Sequence, residues 1–139
     1  MRFNFRFDKT LQAAGMLLHM SGGSMPRLKL LKLLYIADRQ CLAVEGNTIT
    51  GDKAYAMRKG PVISTTYSII RGEDSQSCRW QRFLKSNKNG IVYTVTDPGT
   101  EDLYQFEKEI IKQVHKQYSQ SRYCTDRVYQ MLYRQRLID

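Results

Sequence analysis

Two histidines, three cysteines and a sparse set of carboxylates are the residues with which this chain could do chemistry. His19 and His115 stand far apart, and two isolated imidazoles do not make a metal centre. A nucleophile pair of Cys41 and His19 lacks the orienting motif that accompanies such pairs. Asp38, Glu45 and Asp52 are the only carboxylates between Asp8 and Glu73. Such a set could hold a hard cation, as in a nuclease, but Asp38 and Glu45 are more simply a solvated helix face. Ser21-Gly22-Gly23-Ser24 lies ahead of a helix and in principle offers a cradle for phosphate. It lacks the lysine and hydroxyl spacing of a phosphate-binding loop, so a flexible helix-to-helix connection is the simpler account. No dinucleotide-type glycine fingerprint is present either. The expectation is a protein without cofactor or metal that binds a partner and is not an enzyme.

The cysteines, Cys41, Cys78 and Cys124, are odd in number, widely spaced and without a Cys-x-x-Cys pair. That pattern fits three reduced thiols, not a disulfide framework or a zinc site. No apolar run reaches the roughly 20 residues needed to cross a bilayer. Residues 1–10 alternate Phe with polar and charged residues and lack the apolar stretch of a secretory signal. A cytoplasmic protein with no membrane partner is therefore expected.

The net charge is +9, and the sequence pI is near 9.6. Residues 1–60 carry ten Lys and Arg against four Asp and Glu, whereas residues 101–139 carry seven against six. A basic first half favours acidic partners, either nucleic acid or an acidic protein face. Lys29, Lys32, Arg39, Lys53, Arg58 and Lys59 could form a patch for a nucleic-acid backbone. The elements of sequence-specific readout are missing, however, and the long second helix is too apolar to serve as a recognition helix.

These residues need elements to position them. The 139 residues suit one domain with one core. Asp8 is the expected N-cap of a first helix running to about His19, with Leu11, Ala14, Leu17 and Leu18 inward. Pro26 suits the first turn of a second helix running to about Glu45. Leu28, Leu31, Leu34, Tyr35 and Leu42 make one face of it, and Leu30, Leu33, Ile36 and Ala37 widen that stripe. A helix apolar on most sides is usually central, which leaves Lys29, Lys32 and Arg39 on the narrow remaining face. Ala54–Met57 is expected as a short strand. Gly60-Pro61 is expected to turn the chain into a third helix over about Val62–Arg71. A hairpin of Trp80–Leu84 and Ile91–Val95 closes through Asn89-Gly90. Asp97-Pro98-Gly99 ends it. A long helix follows over roughly Glu101–Tyr118, burying Leu103, Phe106, Ile110, Val114 and Tyr118. A last one covers roughly Cys124–Arg136, burying Val128, Met131 and Leu132. The predicted fold class is α+β, a mainly helical single domain over 1–139 with a small antiparallel hairpin or sheet.

The run from Leu28 to Arg39 (Leu-Lys-Leu-Leu-Lys-Leu-Leu-Tyr-Ile-Ala-Asp-Arg) is unusual, as is Ile49-Thr50-Gly51-Asp52 ahead of Tyr55–Val62 and Thr66-Tyr67. Together they resemble the Panacea domain, the SocA-like antitoxin domain, with its Lys-Leu-x-Lys-Leu-Leu-Tyr-x-Ala-like helix and its later Gly-Pro-Val turn. The resemblance covers residues 8 to 118 and is most specific over 28 to 70. It implies an antitoxin of bacterial or phage origin that neutralises a cognate toxin by direct complex formation. One line of the family delivers its toxin to a protease, so an adaptor is a second implied role, alongside a host-directed phage protein. Some members carry a further DNA-binding domain, and none is expected in this chain. Members often end in a helix with a Thr-His pair and a late Trp, whereas this chain reads Tyr123-Cys124-Thr125-Asp126-Arg127 there. Tyr35, Asp38, Arg39, Tyr55, Arg58, Lys59 and Tyr67 are the residues assigned to partner contact, because Tyr and Arg dominate interface hot spots. Gly60 and Pro61 are assigned to backbone structure. Self-association into a homo-oligomer is left open.

Overall fold

Leu11, Ala14, Leu17 and Leu18 do form the inward face of the first helix, α1 (Phe7–Met20). Asp8 is not its cap. Arg6 holds the cap position in an extended conformation, and Asp8 lies inside the first turn. There its charge still suits the positive end of the helix, and it pairs with Arg79 at 2.9 Å. The computed structural model describes residues 4–58 and 60–118. The expected last helix, with Val128, Met131 and Leu132, lies outside the described residues, as do Lys59 and Cys124.

The glycine pair after α1 leads into a strand that the sequence did not announce, β1 (Ser24–Pro26). Pro26 then holds the cap position of α2 (Arg27–Glu45) with φ −58°, one place ahead of the expected first turn. From Leu30 to Asp38 every side chain of α2 is buried, on all sides of the axis. The helix is central, as its apolar breadth predicts, and packs on α1 and on the elements introduced below. The same breadth overturns two expectations. Lys32 is 0% exposed and Asp38 only 4%, so neither belongs to a solvated face. Gly46, in the left-handed region, closes the helix.

After a loop, β2 (Ala54–Met57) runs where expected and pairs antiparallel with β3 (Gly60–Ile63). Gly60 and Pro61 were expected to begin a helix. They instead form a buried strand, with Ala56 opposite Pro61 and Met57 opposite Gly60. The helix α3 (Ser64–Ile70) begins only after the strand ends. Trp80 closes a short helix, α4 (Ser77–Trp80), where a strand was expected. Its indole is 1% exposed and meets the Phe7 ring edge-on at 6.1 Å, which anchors α4 to α1.

The hairpin itself is present as β4 (Leu84–Ser86) and β5 (Ile91–Thr94), turning through Asn87–Gly90. β5 is the middle strand of three, between β1 and β4. The last described helix, α5 (Gln105–Tyr118), starts four residues later than expected; Leu103 and Val114 are buried and Ile110 and Tyr118 pack against the core as expected, whereas Phe106 does not turn inward. Glu107, Ile111 and Val114 are buried, whereas Phe106 is 39% exposed. Glu107 takes the inward place because its carboxylate receives Lys9 Nζ at 2.9 and 3.0 Å and the Tyr104 N–H at 2.8 Å. The last bond is half of a capping box. The core is the space between α1, α2, α5 and the sheet, filled by leucines of α1 and α2 with Ile111, Val114 and Val92.

Candidate partner-binding site

Two buried carboxylates arrange the loop between α2 and β2. Asp38 accepts the N–H groups of Ile49 and Thr50 at 2.9 and 3.0 Å and the Thr50 hydroxyl. The Thr50 oxygen in turn accepts the Asp52 N–H at 3.0 Å. Asp52 receives the N–H groups of Lys53 and Thr65 on one oxygen, and the N–H and hydroxyl of Thr66 on the other. Gly51 sits between them at φ +68°, and a Cβ there would run into the Asn4 carbonyl. Glycine is required at such a backbone position. The motif residues Asp38, Thr50, Gly51, Asp52 and Thr66 thus form an internal relay that fixes β2, β3 and α3 against the central helix.

That arrangement separates the seven residues assigned to partner contact. Tyr35 is 8% exposed and Asp38 is consumed by the relay, so neither presents a surface for a partner. Arg39 is half-buried and holds interactions within the protein. Tyr55 and Arg58 are exposed on β2 and the turn after it, and Tyr67 is half-buried on α3. Lys59 lies outside the described residues. Gly60 and Pro61 are buried strand residues of β3, not the turn and helix start assigned to them.

Arg71 completes the cluster; it stands four residues after Tyr67, a spacing that brings side chains together on a helix. Its guanidinium donates to the Tyr67 hydroxyl at 2.9 Å, lies 5.3 Å from the centre of that ring, and meets Glu73 at 3.2 Å. The Tyr67 bond, above all, raises the Arg71 pKa further, and Tyr55 is near enough to add to the effect. Tyr55, Tyr67 and Arg71 therefore stand together on one surface, and Arg58 is exposed in the turn after β2. Arg71 also borders a cavity of about 380 Å³ that it shares with Arg27, Lys85, Leu84 and Ser86.

The groups with catalytic potential are placed differently. Cys41 is 1% exposed, and burial pushes its thiol up to about 11. A nucleophilic thiol needs the opposite shift. His19 is exposed, while His115 bonds Ser21 at 2.9 Å. Among the described residues no group of three or more His, Cys, Asp or Glu could hold a metal ion. Glu45 is exposed, and the oxygens of Asp38 and Asp52 are taken by protein donors. None of the described helices is long and apolar enough to cross a membrane.

Fold and surface together define a small, mainly helical α+β domain with a Tyr- and Arg-bearing face. The chain belongs to the SocA-like antitoxin family, the Panacea domain, whose family model matches residues 30–134. No curated protein and no solved structure matches it.

Proposed function

We propose that this protein is an antitoxin that binds a cognate toxin and neutralises it in a direct complex, without catalysis, in the cytoplasm of a bacterium or in the course of phage infection. The family match over residues 30–134 carries the reading. Exposed Tyr55, Arg58 and Arg71, with half-buried Tyr67, support it, since Tyr and Arg are enriched among interface hot spots. The mechanism is steric: the face built on β2 and α3 covers the toxin's working surface. The net charge of +9 favours fast association with an acidic toxin face.

The test is co-expression with the product of the neighbouring gene. Restored growth and co-purification of the two proteins are expected. A neighbour that is harmless alone, or one rescued without a stable complex, contradicts the reading and favours an adaptor.

A further inference from the structure

We propose that the cavity between the start of α2, the end of α3 and β4 binds a small phosphate monoester as its dianion. The site goes beyond the antitoxin reading and does not rest on it, since it stands on the residues of the cavity alone.

Charge is the first ground. Arg27, Arg71 and Lys85 all line this cavity of about 380 Å³, and no carboxylate does. Glu73 meets Arg71 from outside the lining, at 3.2 Å. Among the described residues no carboxylate pairs Arg27 or Lys85. Arg27 is also the first residue of α2, whose first turn holds no acidic residue. A cation at the positive end of a helix dipole is unfavourable, and an anion in the cavity relieves that repulsion.

Hydrogen bonding is the second. The Nε–H of Arg27 is buried and has no acceptor among the described residues. Buried donors almost always have a partner, so this one calls for an acceptor from outside. Asn87 commits its Oδ1 to the N–H groups of Asn89 and Ile91, at 2.9 and 3.0 Å. Its amide N–H bonds are what it has left to offer the cavity. Arginine and lysine also carry donors only, and Ser86 adds a hydroxyl. The matching ligand is a group of acceptors: an oxyanion.

The third is the kind of oxyanion. A carboxylate brings one charge and two oxygens. A phosphate monoester brings three terminal oxygens and, above its second pKa of about 6, nearly two charges. Three cations around one cavity suit the phosphate. Ile70 and Leu84 give an apolar wall for the carbon part of the ester, and the volume is within the roughly 300–1,000 Å³ of small-molecule sites. No aromatic ring lines the cavity, whereas single-stranded nucleic acid is held by bases stacked on such rings.

The test is calorimetric titration of the whole protein with glycerol 3-phosphate, in a buffer free of phosphate and sulfate. Saturable binding is expected, tightening from about pH 5 to about pH 7 as the second proton leaves the phosphate. Lys85→Gln and Arg27→Gln should each weaken it about tenfold or more, as loss of a charged hydrogen-bond donor brings. Lys85 is exposed, so its variant keeps the fold. The Arg27 Nε–H signal in the NMR spectrum of wild type should shift along the same titration, a readout that needs no variant. No saturable binding, an unmoved Arg27 signal, or unchanged affinity in Lys85→Gln overturns the site. Tighter binding of succinate than of glycerol 3-phosphate overturns the phosphate in favour of a carboxylate ligand. Displacement of glycerol 3-phosphate by a lower concentration of an oligothymidylate overturns the small-molecule ligand. No toxin enters the assay, so its failure is distinct from failure of neutralisation.

Discussion

Asp52 caps α3 from fourteen residues away: its Oδ2 accepts the Thr66 N–H at 2.8 Å and the Thr66 hydroxyl at 2.7 Å. Its other oxygen takes the Thr65 N–H at 3.0 Å. The residue at the helix's own cap position, Ile63, has no side chain able to do this. Asp52→Ala should therefore uncover several buried donors at once and cost about 3 kcal/mol, since each unsatisfied group costs about 1–3 kcal/mol. Asp52→Asn should cost less, because its amide oxygen still accepts. Urea unfolding of the two variants checks the order. Equal, small losses would show that α3 does not depend on this cap.

Asp38 gives the relay a pH dependence. Burial pushes its carboxyl from the ordinary 3.8 up to about 6, against the lowering effect of the bonds from Thr50 and Ile49, and the charge of Asp52 adds to the rise. The folded protein then holds this proton more tightly than the unfolded chain. Between about pH 4 and pH 6 the native state binds more protons, so this contribution to stability falls as pH rises. The fall amounts to about 3 kcal/mol at about 1.4 kcal/mol per pH unit, and it levels off above pH 6. Denaturant midpoints from pH 4 to 7 should show a downward component in wild type that Asp38→Asn lacks. The slopes are the readout, because Asn also alters the bond with Thr50.

Gly15 offers a test in which helix propensity and packing oppose each other. Glycine inside a helix costs about 1 kcal/mol relative to alanine, so Gly15→Ala would normally stabilise α1. Here the Pro98 ring lies 2.5 and 2.9 Å from where the new Cβ would sit. The expected result is a lower melting temperature for Gly15→Ala, with recovery in Gly15→Ala/Pro98→Ala. A rise in the single variant would mean that the Asp97–Gly99 turn yields readily.

The parts of the fold visible in the sequence were those set by local pattern. The leucines of α2 repeat so densely that its extent and central position follow from spacing, and Asn89-Gly90 announces its hairpin. The relay was not visible as such, because Asp38, Asp52 and Thr66 meet only when the chain folds back. Without that closure, Asp38 looks like one more polar residue on a helix. Lys32 stands between Leu31 and Leu33 in a helix buried all round, so the apolar run itself carried the sign of its burial. β1 is three residues long, too short for any period, and it forms because β5 offers an edge. Pro61 in a strand is tolerated because, among the described residues, β3 pairs with β2 alone. On the surface, residue type singles out Tyr55, Arg58 and Tyr67 as interface candidates, and the four-residue spacing of Tyr67 and Arg71 carries the sign of their bond.

The most direct measurement is calorimetric titration of the proposed cognate toxin with wild type and with Arg58→Ala/Tyr67→Ala. Both side chains lie at the surface or half-buried. Arg58→Ala should change stability by no more than about 0.5 kcal/mol, whereas Tyr67 packs partly buried against the core, so the titration is run well below the melting temperature of the double variant. The expected result is a Kd weakened about tenfold or more, as truncation of interface hot spots brings. Unchanged affinity of the folded double variant would contradict the claim that the face built on β2 and α3 binds the toxin.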